Sequence, residues 1–111
     1  MDNLTPQFIA GFYTGEGYFN IQNIPSPTGK VHKGFCIGLH VHGNDLALIR
    51  HIQSSMQGIG HVTIRKNTNI QYRIHKGQEL EYFVEIISPF LKGNKAKQFR
   101  VWLSCFYAYK L

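Results

Sequence analysis

One carboxylate of this chain stands where helix electrostatics disfavour it. Thr5 followed by Pro6 predicts a capped helix start, and the glycines on either side of Glu16 predict the end of that helix. Glu16 would then lie beside backbone carbonyls without intrahelical partners, at the negative end of the helix dipole. A bound cation would relieve the repulsion, so Glu16 is a candidate functional residue. The alternative is an ordinary solvated residue at a helix end.

A second set of charges is inverted at the start of the last predicted helix. Lys95 and Lys97 fall in its expected first turn, and Lys92 precedes it. Each cation there is disfavoured by roughly 0.3–1 kcal/mol, whereas a phosphate would attract both the helix amides and the lysines. Acid and base at these helix ends suit a metal ion beside a phosphate. A solvated, screened run of lysines is the alternative.

The composition limits the class of protein. At 111 residues the chain is predicted to form one domain, residues 1–111. A formal charge of +6 with only six acids favours a polyanionic partner, nucleic acid before membrane. No apolar run reaches the length of a membrane span. The two cysteines fit a reducing, intracellular compartment, and the richness in Ile, Asn, Phe and Tyr favours an AT-rich genome such as that of a mitochondrion or plastid.

Hydrophobic periodicity predicts an α+β fold. Apolar and polar residues alternate in four segments, at residues 18–22, 35–42, 61–65 and 70–75. The segments form two pairs, each joined by a turn and followed by a helix with one apolar face. The turns are expected at residues 25–29 and 66–69, and Asn44 or Asp45 is expected to cap the middle helix. The order is therefore α-ββα-ββα-α, with the strands in one antiparallel sheet.

The predicted sheet has two unlike faces. One is apolar and must pack against the helices. The other carries amides, histidines and arginines, which suit base edges, while lysines on the connecting turns suit phosphates. No acid interrupts these strands, so nucleic-acid binding is favoured over an ordinary solvated face. The residues expected to bind are Asn20, Gln22, His40, Arg65, Gln71, Arg73 and His75 on the polar face, with Lys30, Lys33 and Lys66 on the connecting turns.

The segment of residues 8–19 resembles a known signature. It reads Phe-Ile-Ala-Gly-Phe-Tyr-Thr-Gly-Glu-Gly-Tyr-Phe, and the signature of the LAGLIDADG homing endonucleases runs aromatic or Leu, apolar, Ala-Gly-Phe, apolar, Asp-Gly-Glu-Gly, apolar, Phe. The element order and residues 89–102 resemble the family as well. The resemblance covers nearly the whole chain with one copy of the motif. It implies that the sheet forms half of a DNA-binding saddle.

The resemblance also implies a metal site. Glu16 and Gly15 would hold a divalent metal, usually Mg²⁺, together with a second copy of the motif, since two neighbouring carboxylates repel unless a cation lies between them. Lys95, or Lys97 in its place, would be the active-site lysine. The reaction implied is metal-assisted hydrolysis of DNA phosphodiesters.

The partner implied by the single motif is another LAGLIDADG half, either a second copy in a homodimer or a different chain. Ala10, Gly11 and Thr14 would let the two motif helices approach closely. The alternative is that these small residues pack against the chain's own sheet.

Two positions depart from the family pattern. Thr14 stands where most members have Asp, and Gly43 where many place a polar residue, a role that His40 or His42 could take. The leading interpretation is a Mg²⁺-dependent, site-specific endonuclease acting on double-stranded DNA. The alternatives are a maturase that binds intron RNA and a DNA-binding relative that does not cleave.

Overall fold

The computed structural model describes residues 2–66 and 68–110, the side chain of Lys110 excepted. The elements in chain order are helix α1 (Pro6–Glu16), strands β1 (Gly17–Pro25) and β2 (Val31–His42), helix α2 (Leu46–Ser55), strands β3 (His61–Arg65) and β4 (Asn69–Ile74), and helices α3 (Gly77–Ile86) and α4 (Gly93–Lys110). The predicted α-ββα-ββα-α order and the α+β fold are confirmed. Asn67, in the predicted turn between β3 and β4, lies outside the described residues.

The four strands form one antiparallel sheet in the order β1-β2-β4-β3, as predicted. The ribbon of β1 and β2 is longer than the sequence pattern indicated, because β1 continues to Pro25 and β2 begins at Val31. Lys33 therefore lies within β2, and the prediction that it belongs to the connecting turn is wrong. The outer part of this ribbon is exposed to solvent.

The helices cover one face of the sheet and enclose the hydrophobic core. Strands β2 and β4 contribute Ile37, Leu39, Tyr72 and Ile74, all fully buried, and α3 contributes Phe83. Each such side chain stabilises the fold by roughly 1.5–3 kcal/mol through burial. None of the helices within the described ranges has the length and apolar character needed to cross a bilayer.

Side chains of helix α4 bind backbone atoms of the β1–β2 ribbon from the core side. The indole Nε1 of Trp102 donates a hydrogen bond to the carbonyl of Asn20 at 3.0 Å. The hydroxyl of Tyr109 accepts one from the backbone N–H of Lys33 at 3.3 Å. The aromatic rings of α4 pack on the same ribbon, with Trp102 5.8 Å from Phe35 between centroids. These contacts fix the ribbon without using side chains on its other face.

Helix α1 begins and ends in ways that position Glu16. Thr5 Oγ1 accepts a hydrogen bond from the Phe8 N–H at 3.1 Å, which confirms the predicted cap. The helix continues through Glu16 and passes directly into β1 at Gly17. A Cβ at Gly17 would lie 2.6 Å from the Tyr13 carbonyl oxygen, so only glycine permits this close turn. Glu16 is therefore fixed at the junction between α1 and the sheet.

Candidate active site and nucleic-acid interface

The sheet face turned away from the helices brings together polar side chains of all four strands, and we call it the polar face. Strand register places His40 beside Gln71, and Gln71 beside Thr63. None of the four strands contains Asp or Glu. The predicted residues that alternation places on this face are Asn20, Gln22, His40, Arg65, Gln71 and Arg73, while His75 directly follows β4.

Arg73 is anchored near the middle of the polar face. Its guanidinium forms a hydrogen bond with the thiol of Cys36, and this contact raises the pKa of Arg73. Burial raises the pKa of Tyr18 on the same face, with a further increase from Cys36. His61, which the sequence analysis did not assign, pairs with Arg73, and its ring stacks on His75 with centroids 5.5 Å apart. The alternation of β3 could have predicted it, because His61 falls on the same face as Thr63 and Arg65.

Glu16 borders a cavity of about 360 Å³ where α1 meets the sheet. Its side chain is exposed, and within residues 2–66 and 68–109 it forms no hydrogen bond or ion pair. The cavity also has polar groups from the ends of β2 and β4 and from the turn before α2. Its lining residues are Phe12, Glu16, His40, Val41, His42, Asp45 and Asn69.

Asp45 is the acidic residue of the cavity that sequence reasoning missed. It precedes α2 and was expected, with Asn44, to cap that helix, but its side chain makes no capping hydrogen bond. Instead it lines the cavity with Glu16. The N–H of Gly43 donates to the Thr68 carbonyl at 3.0 Å, which ties this turn to the start of β4. Because that pairing depends on tertiary structure, the sequence carried no local signal for it.

The two lysines predicted near the active site, Lys95 and Lys97, differ in their placement on α4. The Nζ of Lys95 donates a hydrogen bond to the Gly17 carbonyl, so its ammonium lies at the end of α1 beside Glu16. Lys97 is exposed and lies two positions further along α4, roughly 200° around the helix. Helix α4 begins at Gly93, so Lys97 is not in the first turn as predicted. The structure thus brings the ammonium of Lys95 to Gly17, the residue after Glu16, and shows no such contact for Lys97 within the described residues.

The lysines near the sheet also differ in their placement. Lys30 and Lys66 are exposed at the two turns, next to the polar face. Lys33 shares its parity in β2 with Phe35, which is on the helix-covered face. Lys33 is therefore directed away from the predicted DNA contacts, because the longer strand sets its orientation.

The small residues of α1 divide between two faces of the helix. Ala10 is fully buried in the chain's own core, and Thr14 Oγ1 donates to the Ala10 carbonyl at 2.8 Å. The predicted contact of Ala10 with a partner therefore gives way to packing within the chain, the alternative raised above. Gly11 and Gly15 are exposed, with open space where a Cβ would stand, and Phe8 is 49% exposed. We call Phe8, Gly11 and Gly15 the open stripe of α1.

Comparisons with known proteins agree with this arrangement. The sequence profile of the LAGLIDADG endonucleases matches residues 9–106. The chain therefore belongs to the LAGLIDADG endonuclease family. No curated protein sequence matches it.

Several solved structures share the fold. The LAGLIDADG meganuclease I-CpaMI, bound to uncleaved DNA, superposes with a TM-score of 0.85 at 25% identity, covering 97% of this chain and 37% of that one. The homing endonuclease I-GzeII, in complex with its DNA target, gives 0.83 at 17% identity, covering 92% and 35%. The homing endonuclease I-TnaI gives 0.82 at 23% identity, covering 93% and 71%. The chain thus spans little more than a third of the length of the first two.

Proposed function

We propose that this chain is a site-specific endonuclease that cleaves both strands of DNA with a divalent metal, as a homodimer or paired with a second LAGLIDADG half. The observation that carries the proposal is the position of Glu16. It is an exposed carboxylate without a partner in the described chain, it borders a cavity that His40 of the polar face also lines, and the ammonium of Lys95 binds the carbonyl of the next residue, Gly17. A phosphodiester lying along the polar face would reach both groups.

The donors at this point fit Mg²⁺. The metal prefers oxygen ligands, and the Glu16 carboxylate would be joined by the carbonyl of Gly15, which falls in the last helical turn where carbonyls have no intrahelical partner. Bound there, the ion would polarise the phosphodiester and activate water. No three His, Cys, Asp or Glu side chains in the described residues are grouped to hold a metal. A second Glu16 from a partner would complete the site.

The chain's own side chains have distinct tasks in this proposal. Lys95 offsets negative charge that develops on the phosphodiester. His40 and His42 line the same cavity, and an imidazole at this position can accept a proton from an attacking water. The lysines at the turns neutralise backbone phosphates, and the polar face reads base edges in the major groove.

The open stripe of α1 is the surface that we assign to the partner. Residues at positions i, i+3 and i+7 lie on one side of a helix, so Phe8, Gly11 and Gly15 face outward together. Without side chains at the two glycines, a second helix can approach closely. Since Glu16 follows the stripe directly, pairing two such helices about a twofold axis places the two carboxylates near each other.

A second candidate is a DNA-binding relative that does not cleave. It is favoured by Thr14, whose hydroxyl is used within the chain through Ala10 and the Lys92 N–H. It is also favoured by Gly43, which offers no side chain to the cavity. Both candidates require the polar face, and only cleavage requires Glu16.

The isosteric variant Glu16→Gln distinguishes them on a library of supercoiled plasmids. We expect wild-type protein to linearise a subset of targets with Mg²⁺ and not with EDTA. Loss of the carboxylate should slow cleavage by at least about a hundredfold while specific binding persists. Glu85→Gln, an exposed acid on α3, is the matched control and should cut normally.

Specific binding without cutting by wild-type protein would establish the non-cleaving relative. Equal cutting by wild-type and Glu16→Gln proteins would contradict the proposed site. The mass of the complex in solution, measured with and without a selected target, tests for two chains per duplex.

A further inference from the structure

An isoleucine stands among the polar side chains at the outer end of the β1–β2 ribbon. Ile24 is 48% exposed. The large exposed apolar residues elsewhere on the described strands, Ile21, Val31 and Ile64, have the parity of the helix-covered face, whereas Ile24 has that of Asn20 and Gln22. Ile24 therefore contributes nothing to the core beneath the sheet.

The side chain of Ile24 lies over a glycine of the neighbouring strand, Gly34. A Cβ at Gly34 would lie 2.7 Å from Ile24 Cδ1, so the isoleucine side chain occupies the space that a residue at that position would fill. Gly34 pairs with Gln22, and Ile24 pairs with His32. A β-branched side chain that already lies across its neighbour has little rotamer freedom to lose on binding.

The residues around Ile24 limit the kinds of partner that its exposed side chain could contact. Its neighbours on the polar face are Gln22 and His32, so Ile24 is isolated and too small a patch to hold a protein partner. In the major groove of DNA the distinctive apolar group is the C5-methyl of thymine. The position along the ribbon also matters, since the seven steps from Gly17 to Ile24 span about 23 Å, or roughly seven base pairs.

We propose that Ile24 is a specificity-determining residue that reads the methyl group of a thymine in the major groove, roughly six to eight base pairs from the bond addressed by Glu16. This inference rests on the proposed function only through DNA binding, and it does not require cleavage. Gln22 and His32 would provide hydrogen bonds to the flanking bases, and Ile24 would provide the apolar contact between them.

The first test selects bound duplexes from a randomised library with wild-type protein, Ile24→Ala and Val31→Ala. Val31 is 60% exposed on the same ribbon, with the opposite parity, and is the matched control. We expect thymine to be enriched at one outer position of the half-site with wild-type protein and with Val31→Ala, and that preference to disappear with Ile24→Ala. Thermal unfolding of each variant shows that it is folded.

The second test needs no variant for its main result. Deoxyuridine replaces thymine at the selected position, which removes the methyl group and nothing else. Wild-type binding should weaken about fourfold, the effect of one buried carbon, whereas Ile24→Ala should bind both duplexes equally. Absence of an outer thymine preference, or a full deoxyuridine effect in Ile24→Ala, would overturn the inference while specific binding elsewhere still supports the proposed function. Absence of any sequence-specific binding would overturn both.

Discussion

The two faces of the sheet are built from the same strands and do different work. On the helix-covered face Ile37, Tyr72 and Ile74 are fully buried. On the polar face the neighbouring positions, such as Gln71 and Arg73, have half-exposed side chains and no acids among them. Because side chains alternate along a strand, adjacent residues fall on opposite faces. If the polar face binds DNA as proposed, stability and recognition depend on neighbouring residues of the same strand.

This difference between the faces predicts which substitutions should lower the unfolding free energy and which should lower DNA affinity. A truncation on the covered face leaves a cavity in a packed core and lowers the free energy of unfolding. In the proposed function, a truncation on the polar face mainly removes a contact with bound DNA. Neighbouring residues of one strand, Arg73 and Ile74, give the cleanest test of the difference.

Ile74→Ala should have the largest effect. Ile74 is fully buried and pairs with Ile37 in the centre of the sheet. The expected loss is about 2–5 kcal/mol of unfolding free energy, measured by urea denaturation. DNA affinity per folded molecule should be unchanged. A stable Ile74→Ala protein with weak DNA binding would break the proposed division between the faces.

Arg73→Ala should show the opposite pattern. An arginine that contacts a base edge contributes about 1–3 kcal/mol to binding and to discrimination at that position. We expect a loss of that size in DNA affinity, with relaxed specificity at one base pair, measured by titration at fixed salt. The urea midpoint should move little, because Arg73 is only half-buried.

Two buried tyrosines beneath the covered face differ in the hydrogen bonding of their hydroxyl groups. The hydroxyl of Tyr72 donates to the Ile59 carbonyl at 2.8 Å, whereas the buried hydroxyl of Tyr13 has no partner in the described part of the chain. Tyr72→Phe should therefore lower the unfolding free energy by about 1 kcal/mol. Tyr13→Phe should leave it unchanged or raise it by up to about 1 kcal/mol. Equal losses in both variants would contradict this difference.

The same tyrosines predict a decline in stability at alkaline pH. Burial raises the pKa of Tyr13 and of Tyr72 above the ordinary tyrosine value. The unfolded chain then releases these protons first, so stability is complete below about pH 10 and falls as the pH rises beyond it. Urea midpoints measured across this interval should fall less steeply in Tyr72→Phe. A slope that both variants leave unchanged would assign the decline to other groups.

Much of this fold follows from local sequence signals. Thr5 and Pro6 mark the start of α1, and the alternation around Phe19, Ile37 and Tyr72 marks three strands and their covered face. The outer part of the ribbon was missed because apolar residues there lie on both faces, Ile24 on the polar face and Val31 on the helix-covered face. No alternation of apolar and polar residues therefore indicates that the strands continue. Lys33 was misplaced for the same reason.

The site was less predictable than the fold. Glu16, Lys95 and Lys97 were predicted as site residues because each opposes the dipole of its own helix, which is a local property, and the family resemblance placed Lys95 before Lys97. The sequence did not show whether Ala10 faces the core or a partner, because residues 8–13 are apolar or small on every side of the helix. Asp45 was taken for a cap, since its position in the cavity depends on the pairing of β2 with β4. Tertiary contacts decide such cases.

The hydrogen bonds that the side chains of Trp102 and Tyr109 make with main-chain atoms of the ribbon have an evolutionary consequence. Main-chain attachment is indifferent to which side chains the ribbon displays toward a duplex. If those outward positions read DNA as proposed, mutations there can accumulate without weakening the attachment of the ribbon, and a lineage can acquire a new target by drift. For the same reason, engineers could vary Asn20, Gln22 and Ile24 together and expect altered sequence preference in a protein that still folds.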